Sequence, residues 1–193
     1  MLLRDAVGTL EGWGAPDEGQ GELREHYLRH LAERPDGMWR SCRPEHVTSS
    51  ALVVDASGSQ VLLTLHKTVG RWLQLGGHCE AGDTTLAGAA LREAAEESGL
   101  TGLTMDRSPV QLSRHQLLAG GCAGAFHLDV QFLVTATGET DFVVSEESHD
   151  LAWFAMDALP DGIDHTVATL VDKARHRLAL ISRAAAPDAN TPA

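Results

Sequence analysis

Hydrophobic residues in the middle of the chain form short runs, whereas towards both ends they recur at helical spacing. Two apolar runs, at 50–54 and 61–65, flank a short polar segment with a glycine, a pattern that predicts a β-hairpin. Strict alternation at 126–132 predicts another, half-buried strand. Apolar positions three and four apart predict amphipathic helices over 21–33 and 163–181, the second of them covering the sheet. The chain therefore combines helices with strands.

The strands are preceded by a segment that we interpret as an N-terminal helical extension, over residues 1–45. Its helix at 21–33 ends at a Pro-Asp-Gly turn. Two roles are open for the extension: packing or dimerisation through its apolar face, or a lid that shapes a substrate site. At the other end, residues 184–193 contain two prolines and little apolar content beyond alanine, which predicts disorder. We expect the main domain to lie between them, over 46–183.

Composition and charge exclude several classes of protein. With 193 residues the chain can bury one good core, but two full domains would be crowded. A net charge of -12 argues against nucleic-acid binding, which needs a basic surface. The apolar runs are too short for a membrane span and the N-terminus lacks the apolar block of a signal peptide, so we expect a cytoplasmic protein with no membrane partner. Cys42, Cys79 and Cys122 are widely spaced, which predicts free thiols.

Three carboxylates stand close together in one short segment of the chain. Glu93, Glu96 and Glu97 are spaced so that a helix would carry them on one face, a turn apart. Like charges at this spacing repel, and a bound cation would make the cluster favourable. Carboxylate oxygens prefer hard cations such as Mg²⁺ or Mn²⁺. The spacing therefore predicts a divalent-metal site.

The helix that carries the glutamates has well-marked ends. Residues 83–85 (Asp-Thr-Thr) are all competent N-caps, and Gly99 supplies a left-handed C-terminal stop. Alanines between these ends give a face of small side chains, which would let the helix approach a sheet and bring the glutamates to the preceding glycine loop. Arg92 lies four residues before Glu96, which predicts an ion pair along the helix.

The glycine loop and this helix together resemble the signature of the Nudix hydrolases. The loop at 77–83 (GHCEAGD) is followed, after eight residues, by 92–100 (REAAEESGL). The family usually has Glu where Asp83 stands and seven residues before the Arg, so this loop is one residue longer, while the Arg-Glu-x-x-Glu-Glu register is intact. The resemblance implies an α/β fold, a Nudix-type α/β/α sandwich with a mixed β-sheet.

The resemblance also implies an activity. Nudix hydrolases cleave the diphosphate linkage in nucleoside diphosphate derivatives by attack of a water activated by Mg²⁺ or Mn²⁺. Carried onto this chain, Arg92 would orient a glutamate, and Glu93 is one candidate for the base that deprotonates the water. The metal ligands would be the Gly77 carbonyl, Glu93, Glu96 and Glu97.

An acidic loop at 145–150 offers a second candidate for the base. Many members of the family carry a glutamate in a corresponding loop, where it completes the metal site or removes the proton. Glu146 or Glu147 would serve here, and we take Glu147 as the candidate. The alternative is an ordinary solvated acidic loop.

Four further residues are candidates for substrate binding. Lys67 and Arg71 directly precede the glycine loop and would hold a phosphate through charge-assisted hydrogen bonds, or else form a solvated basic turn. His127 and Asp129 lie on the polar side of the strand at 126–132. If that side forms the floor of a pocket, as the resemblance implies, they would contact the substrate; otherwise they would meet solvent.

Two other functions stay open at this stage. An isopentenyl diphosphate isomerase of the same fold uses a metal and a cysteine–glutamate pair, and Cys79 invites that comparison, although a place inside the metal loop does not suit proton transfer. A non-catalytic nucleotide-binding module is the other, against which the intact glutamates argue. The sequence leaves open nucleoside triphosphates, sugar nucleotides, dinucleoside polyphosphates and non-nucleotide diphosphates as substrates. It also leaves a homodimer open.

Overall fold

The computed structural model of the chain describes residues 1–117, 120–138, 141–145 and 148–185. The tail predicted to be disordered lies outside these residues, apart from its first two, which end the last helix. In chain order the elements are α1 (Leu2–Gly12), α2 (Glu18–Glu33), β1 (Glu45–Asp55), β2 (Gln60–His66), β3 (Trp72–Leu73), β4 (Leu75–His78), α3 (Leu86–Ser98), β5 (Leu103–Gln116), β6 (Phe126–Ala136), β7 (Ser148–Ala155) and α4 (His165–Ala185).

The seven strands of the described residues form one mixed sheet with β1 at its centre. β1 pairs in parallel with β6 and antiparallel with β2 and β4. β2 continues antiparallel to β3 and β7, and β6 continues antiparallel to β5, which is an edge strand. Val54 of β1 pairs with Val61 of β2, so the predicted hairpin is confirmed. β1 is buried along almost its whole length, as expected for a strand with neighbours on both sides.

Helices cover both faces of the sheet, which confirms the α/β/α sandwich. α1, α2 and α3 contribute buried residues to a cluster that includes Val130 and Phe132 of β6. α4 packs against the opposite face, on a cluster that includes Leu52 of β1 and Leu63 of β2. The apolar set of β6 is directed towards the three-helix side, as the alternation predicted, but the strand is not half-buried, because Asp129 and Gln131 on its polar side are buried as well. Among the helices of the described residues, none is both long and apolar enough to cross a membrane.

The N-terminal segment is built into this core. α1 was missing from the sequence-based expectation, which placed a single helix there; Leu10 of α1 is nevertheless fully buried. The side chain of Gln20 on α2 accepts a hydrogen bond from the Leu112 N–H (2.7 Å) and donates one to the Leu112 carbonyl (3.0 Å). Gln20 thus satisfies backbone groups on the edge strand β5. The carboxylate of Asp5 accepts a hydrogen bond from the Leu86 N–H (2.7 Å), at the first turn of α3.

Leu10→Ala tests how far this segment is part of the main core. We expect a loss of about 2 to 5 kcal/mol in the free energy of unfolding, because the change leaves a cavity among fully buried side chains. Urea denaturation should still show a single transition, shifted to lower urea. Glu11→Ala, at an exposed position of the same helix, is the control and should change little. A variant whose main transition is unshifted would mean that the segment unfolds independently of the sheet.

Candidate active site

α3 carries the glutamates, and its ends are set by the residues expected to set them. Thr85 is the N-cap, and its side-chain oxygen accepts a hydrogen bond from the Gly88 N–H (2.9 Å). Gly99 ends the helix with φ +69°, in the left-handed region, and its N–H bonds the Ala95 carbonyl (2.8 Å). Because the cap is Thr85 and not Asp83, the longer loop is accommodated before the helix begins. Asp83 is left to make other contacts.

Small side chains let α3 lie close to the glycine loop of β4. Ala90 and Ala94 are fully buried against the sheet. A Cβ atom added at Gly77 would lie 2.8 Å from Oε1 of Glu93, which is too close for a non-bonded contact. At Gly76 the backbone has φ +152° and a Cβ would overlap the side chain of Ser50. The two glycines therefore allow β4 to sit between β1 and the carboxylate of Glu93.

Arg92 is the centre of the site's hydrogen-bond network. Its Nε and Nη2 donate to the two oxygens of Asp83 (3.2 and 3.0 Å). Its Nη1 donates to Oε1 of Glu93 (3.1 Å) and Oε2 of Glu96 (2.9 Å), so the predicted i,i+4 pair is present. Nη2 also donates to the carbonyl of His78, at the end of β4 (3.0 Å). One guanidinium thus joins the loop, the strand end and two glutamates, a geometry that suits its rigid fork of donors.

Asp83 holds Arg92 in place through hydrogen bonds to both of its carboxylate oxygens. Burial would raise the pKa of Asp83, but hydrogen bonds from Arg92 and from the Glu80 N–H (2.7 Å) outweigh it and hold that pKa below its ordinary value. The hydrogen bond to Asp83 in turn raises the pKa of Arg92, which stays charged. The aspartate that stands in the family's glutamate position therefore pairs with the arginine that organises the site.

Asp83→Asn should destabilise the protein at neutral pH and have little effect in acid. Because the pKa of Asp83 is lower in the folded than in the unfolded state, its stabilising contribution is present above the ordinary value of 3.8 and is lost as the pH falls through the folded value. Urea denaturation of both proteins at neutral pH and below pH 3 measures the difference. Asp36→Asn, at an exposed Arg34 pair, is the control. An equal gap at both pH values would contradict the expectation.

The residues predicted to hold a divalent ion fit that role in their chemistry and placement. Glu93 is largely buried against Gly77, with 15% of its side chain exposed, whereas Glu96 is 60% exposed. Glu97 lies one turn after Glu93, half-buried. The potential metal-ligand atoms are all oxygens, and the hydrogen bonds from Arg92 restrain the side chains of Glu93 and Glu96. Such a set suits a cation that takes oxygen ligands and keeps some of its waters.

The other predicted site residues have different surroundings from one another. Arg71 is ion-paired with Asp164 (2.9 Å), just before α4, so contact with a phosphate would require it to change partner. Lys67 is exposed in the turn between β2 and β3. Glu147 lies outside the described residues. The substrate-binding role of Lys67 and Arg71 stays a prediction.

Asp129 is not on an open surface but at the centre of a buried network. It is 3% exposed, and its carboxylate accepts hydrogen bonds from Thr48 (3.0 Å), Ser50 (2.6 Å), Gln131 (2.9 Å) and Gln74 (3.3 Å). These donors satisfy both carboxylate oxygens. Asp129 is thus placed to fix Gln74, which adjoins the glycine loop, and its direct contact with a substrate stays a prediction.

His127 belongs to a group of side chains that the sequence did not indicate. We define the His–Cys cluster as His46, His78, Cys122 and His127, whose potential ligand atoms all lie within 4.8 Å of one another. Burial lowers the pKa of all three imidazoles, to about 4 for His78 and about 2 for His127, so they are neutral at physiological pH. They come from β1, β4 and β6, and only strand register unites them: His46 pairs with His127, and Thr48 pairs with His78.

The fold and the acidic helix together define a class, that of α/β/α enzymes which act on phosphoric anhydrides. A sequence profile of the NUDIX domain matches residues 44–180, so the chain belongs to this family. It is accordingly a Nudix hydrolase, as the motif indicated.

Solved structures share the fold. They include a NUDIX-family hydrolase from Clostridium perfringens (24% identity, 69% of this chain and 97% of that chain, TM-score 0.58). An Ap4A hydrolase from C. elegans (18%, 71% and 98%, 0.55) and the NUDIX domain of Shewanella oneidensis NrtR complexed with ADP ribose (16%, 78% and 97%, 0.53) are also similar. No curated protein has significant sequence similarity to the chain.

Proposed function

We propose that this protein hydrolyses the diphosphate linkage of a nucleoside diphosphate derivative in the presence of Mg²⁺ or Mn²⁺. The observation that carries the proposal is the Arg92 network, which holds Glu93 and Glu96 beside the glycine loop. Without such restraint, adjacent carboxylates would repel one another and spread apart. An arrangement that keeps anionic oxygens together is well suited to a divalent cation and, through it, to a diphosphate.

Each residue has a defined part in this proposal. The Gly77 carbonyl, Glu93, Glu96 and Glu97 would hold the ion, which when bound supplies Lewis-acid polarisation of phosphoryl oxygens and activation of water. Glu93, largely buried against β4, or alternatively Glu147, would accept the proton of the attacking water. Arg92 is a positioning residue, because it acts through the glutamates.

A nucleotide is the favoured class of substrate. Two proteins of the same fold have names that specify nucleotide ligands, an Ap4A hydrolase and a domain complexed with ADP ribose. Both ligands contain a phosphoric anhydride between a nucleoside and another group. The strongly negative net charge of this chain, -12, favours a small substrate neutralised locally by a cation over a nucleic acid.

The isomerase alternative is disfavoured by the state of Cys79. Burial, with a smaller contribution from the carboxylate of Asp83, raises the pKa of this thiol to about 12. A thiol of such low acidity does not form the thiolate that a proton-transfer pair needs. The nucleotide-binding module remains the second candidate, favoured by the similarity to a domain complexed with ADP ribose.

The test is a panel of ADP-ribose, Ap4A, nucleoside triphosphates, sugar nucleotides and isopentenyl diphosphate, each with Mg²⁺, with Mn²⁺ and with a chelator. We expect metal-dependent release of nucleoside monophosphate or phosphate from at least one nucleotide. Calorimetry on the same panel measures binding independently of turnover. A nucleotide that binds but is never cleaved, with either metal, would overturn the hydrolase proposal in favour of the binding module.

A further inference from the structure

The His–Cys cluster contains buried nitrogen atoms that lack partners. His46 is fully buried, and its Nδ1 lies 3.2 Å from the Cys42 carbonyl, so Nδ1 carries the proton and donates it to that oxygen. Nε2 of His46 is then an acceptor, and it has no hydrogen-bond partner among the described residues. The buried Nε2 of His127 likewise has no hydrogen-bond partner among the described residues. Buried polar atoms are nearly always paired, so two such atoms in one cluster point to a missing ligand.

A thiol completes the cluster. Sγ of Cys122 lies 3.5 Å from Nε2 of His78 and accepts a hydrogen bond from Nε of Arg40 (3.2 Å). The hydrogen bond from Arg40 holds this sulfur beside the imidazoles, and cysteine sulfur is a ligand for metals such as zinc. Arg40 is hydrogen-bonded to Cys122, and the Cys42 carbonyl is hydrogen-bonded to His46. Hydrogen bonds of this kind orient the ligands of a metal ion.

We propose that the His–Cys cluster binds a zinc ion, at a site separate from the carboxylates of α3. Three imidazoles and one thiolate are a donor set that Zn²⁺ takes in tetrahedral geometry, with bonds of about 2.0 to 2.3 Å and ligand atoms therefore about 3.3 to 3.6 Å apart. The four groups already lie within 4.8 Å of one another, so side-chain adjustments of about an ångström would suffice.

The chemistry of the cluster separates it from the carboxylate site. Nitrogen and sulfur ligands select zinc or similar transition metals, whereas all-oxygen sites select Mg²⁺ or Mn²⁺. Four protein ligands with no open position are typical of a structural zinc site, not a catalytic one. Two further facts fit that role: Cys122 is 2% exposed and His46 is fully buried.

The zinc ion would join parts of the protein that are distant in sequence. It would link β1, β4 and β6 to the loop between β5 and β6, which carries Cys122. His78 directly follows the glycine loop residue Gly77, and its carbonyl oxygen accepts a hydrogen bond from Arg92. A metal bound to the His78 imidazole would therefore hold the end of β4 on which the acidic site is assembled.

Metal binding by the full-length protein tests the proposal. The protein is stripped with a chelator and then titrated with Zn²⁺, or with Co²⁺ as a spectroscopic probe, in excess Mg²⁺ to occupy the carboxylates. We expect about one Zn²⁺ per chain and a higher melting temperature on binding. The Co²⁺ protein should show a thiolate-to-metal charge-transfer band and the intense d–d absorption of a tetrahedral site.

Variants assign the ligands. Cys122→Ser should abolish the charge-transfer band, and His127→Asn should weaken zinc affinity by more than the roughly 10- to 100-fold typical of an outer-shell change. Cys79→Ser, which removes another buried thiol, is the matched control and should keep both properties. Glu97→Gln should keep the zinc stoichiometry, which separates this site from the one in the proposed function.

Two results would overturn the proposal. One is the absence of stoichiometric Zn²⁺ binding by the natural protein, which would leave the cluster as a metal-free stack of neutral imidazoles. The other is an unchanged charge-transfer band in folded Cys122→Ser. If the variants fail to fold, the natural Co²⁺ protein decides alone, because a spectrum without a thiolate band excludes Cys122 as a ligand.

Discussion

Glu97→Gln is expected to lower kcat/KM for the cleaved nucleotide about 1000-fold while leaving the fold intact. The change removes a negative charge but keeps the size of the side chain, so packing on the half-buried face of α3 is preserved. A metal ion stabilises transition-state charge by several kcal/mol, and about 4 kcal/mol corresponds to a 1000-fold loss. The loss should fall mainly on kcat at saturating substrate and be partly recovered at high metal concentration.

The measurement is steady-state kinetics at a series of Mg²⁺ concentrations, with the melting temperature followed in parallel. Glu80→Gln is the matched control, since it neutralises an exposed carboxylate in the same loop and helix region. We expect its kinetics to stay within a few-fold of the natural protein. Full activity in Glu97→Gln would remove this residue from the metal-ligand set and weaken the whole assignment of the site.

Arg92→Lys should be the second most damaging change, although it keeps the positive charge. Lysine cannot reproduce the five hydrogen bonds that Arg92 makes to Asp83, Glu93, Glu96 and the His78 carbonyl. Glu93 and Glu96 would then lose their shared donor and move apart. A misplacement of about 1 Å in a catalytic arrangement costs roughly 100-fold in rate, and we expect a loss of that order in kcat.

A purely structural role for Arg92 would give a different pattern. If the arginine only stabilised the fold, the variant would melt earlier but retain its kcat at temperatures where it is folded. A positioning role predicts a lower kcat and a higher metal requirement in folded protein. Arg177→Lys is the matched control, because Arg177 also bonds a carboxylate, Asp106, through Nε and Nη2, but on α4. Its kcat should be unchanged.

Sequence patterns predicted the features that depend on residues close together along the chain. The hairpin, the alternating strand β6 and the ends of α3 all follow from side chains within a few positions of one another. The Arg92–Glu96 pair and the shared face of the glutamates follow from helix geometry alone. Such features could be predicted because the spacing of residues along a helix or strand determines which side chains are neighbours.

Other features required contacts between distant parts of the chain. The sequence indicated one N-terminal helix and did not show that Leu10 enters the core or that Asp5 bonds the start of α3. The sequence left open whether Asp129 meets solvent or lines a pocket, yet four donors from β1, β6 and the residue between β3 and β4 surround it. These partners lie too far apart in sequence for any local pattern to reveal them.

By itself, the sequence determined the family, the acidic helix and the face of small side chains that lets this helix approach the sheet. Tertiary structure alone decided that Asp83 anchors Arg92 and that His46, His78 and His127 meet beside Cys122. The physical reason is strand register. Parallel pairing of β1 with β6 places His46 opposite His127, and a shift of one residue would direct one of the two side chains to the other face of the sheet.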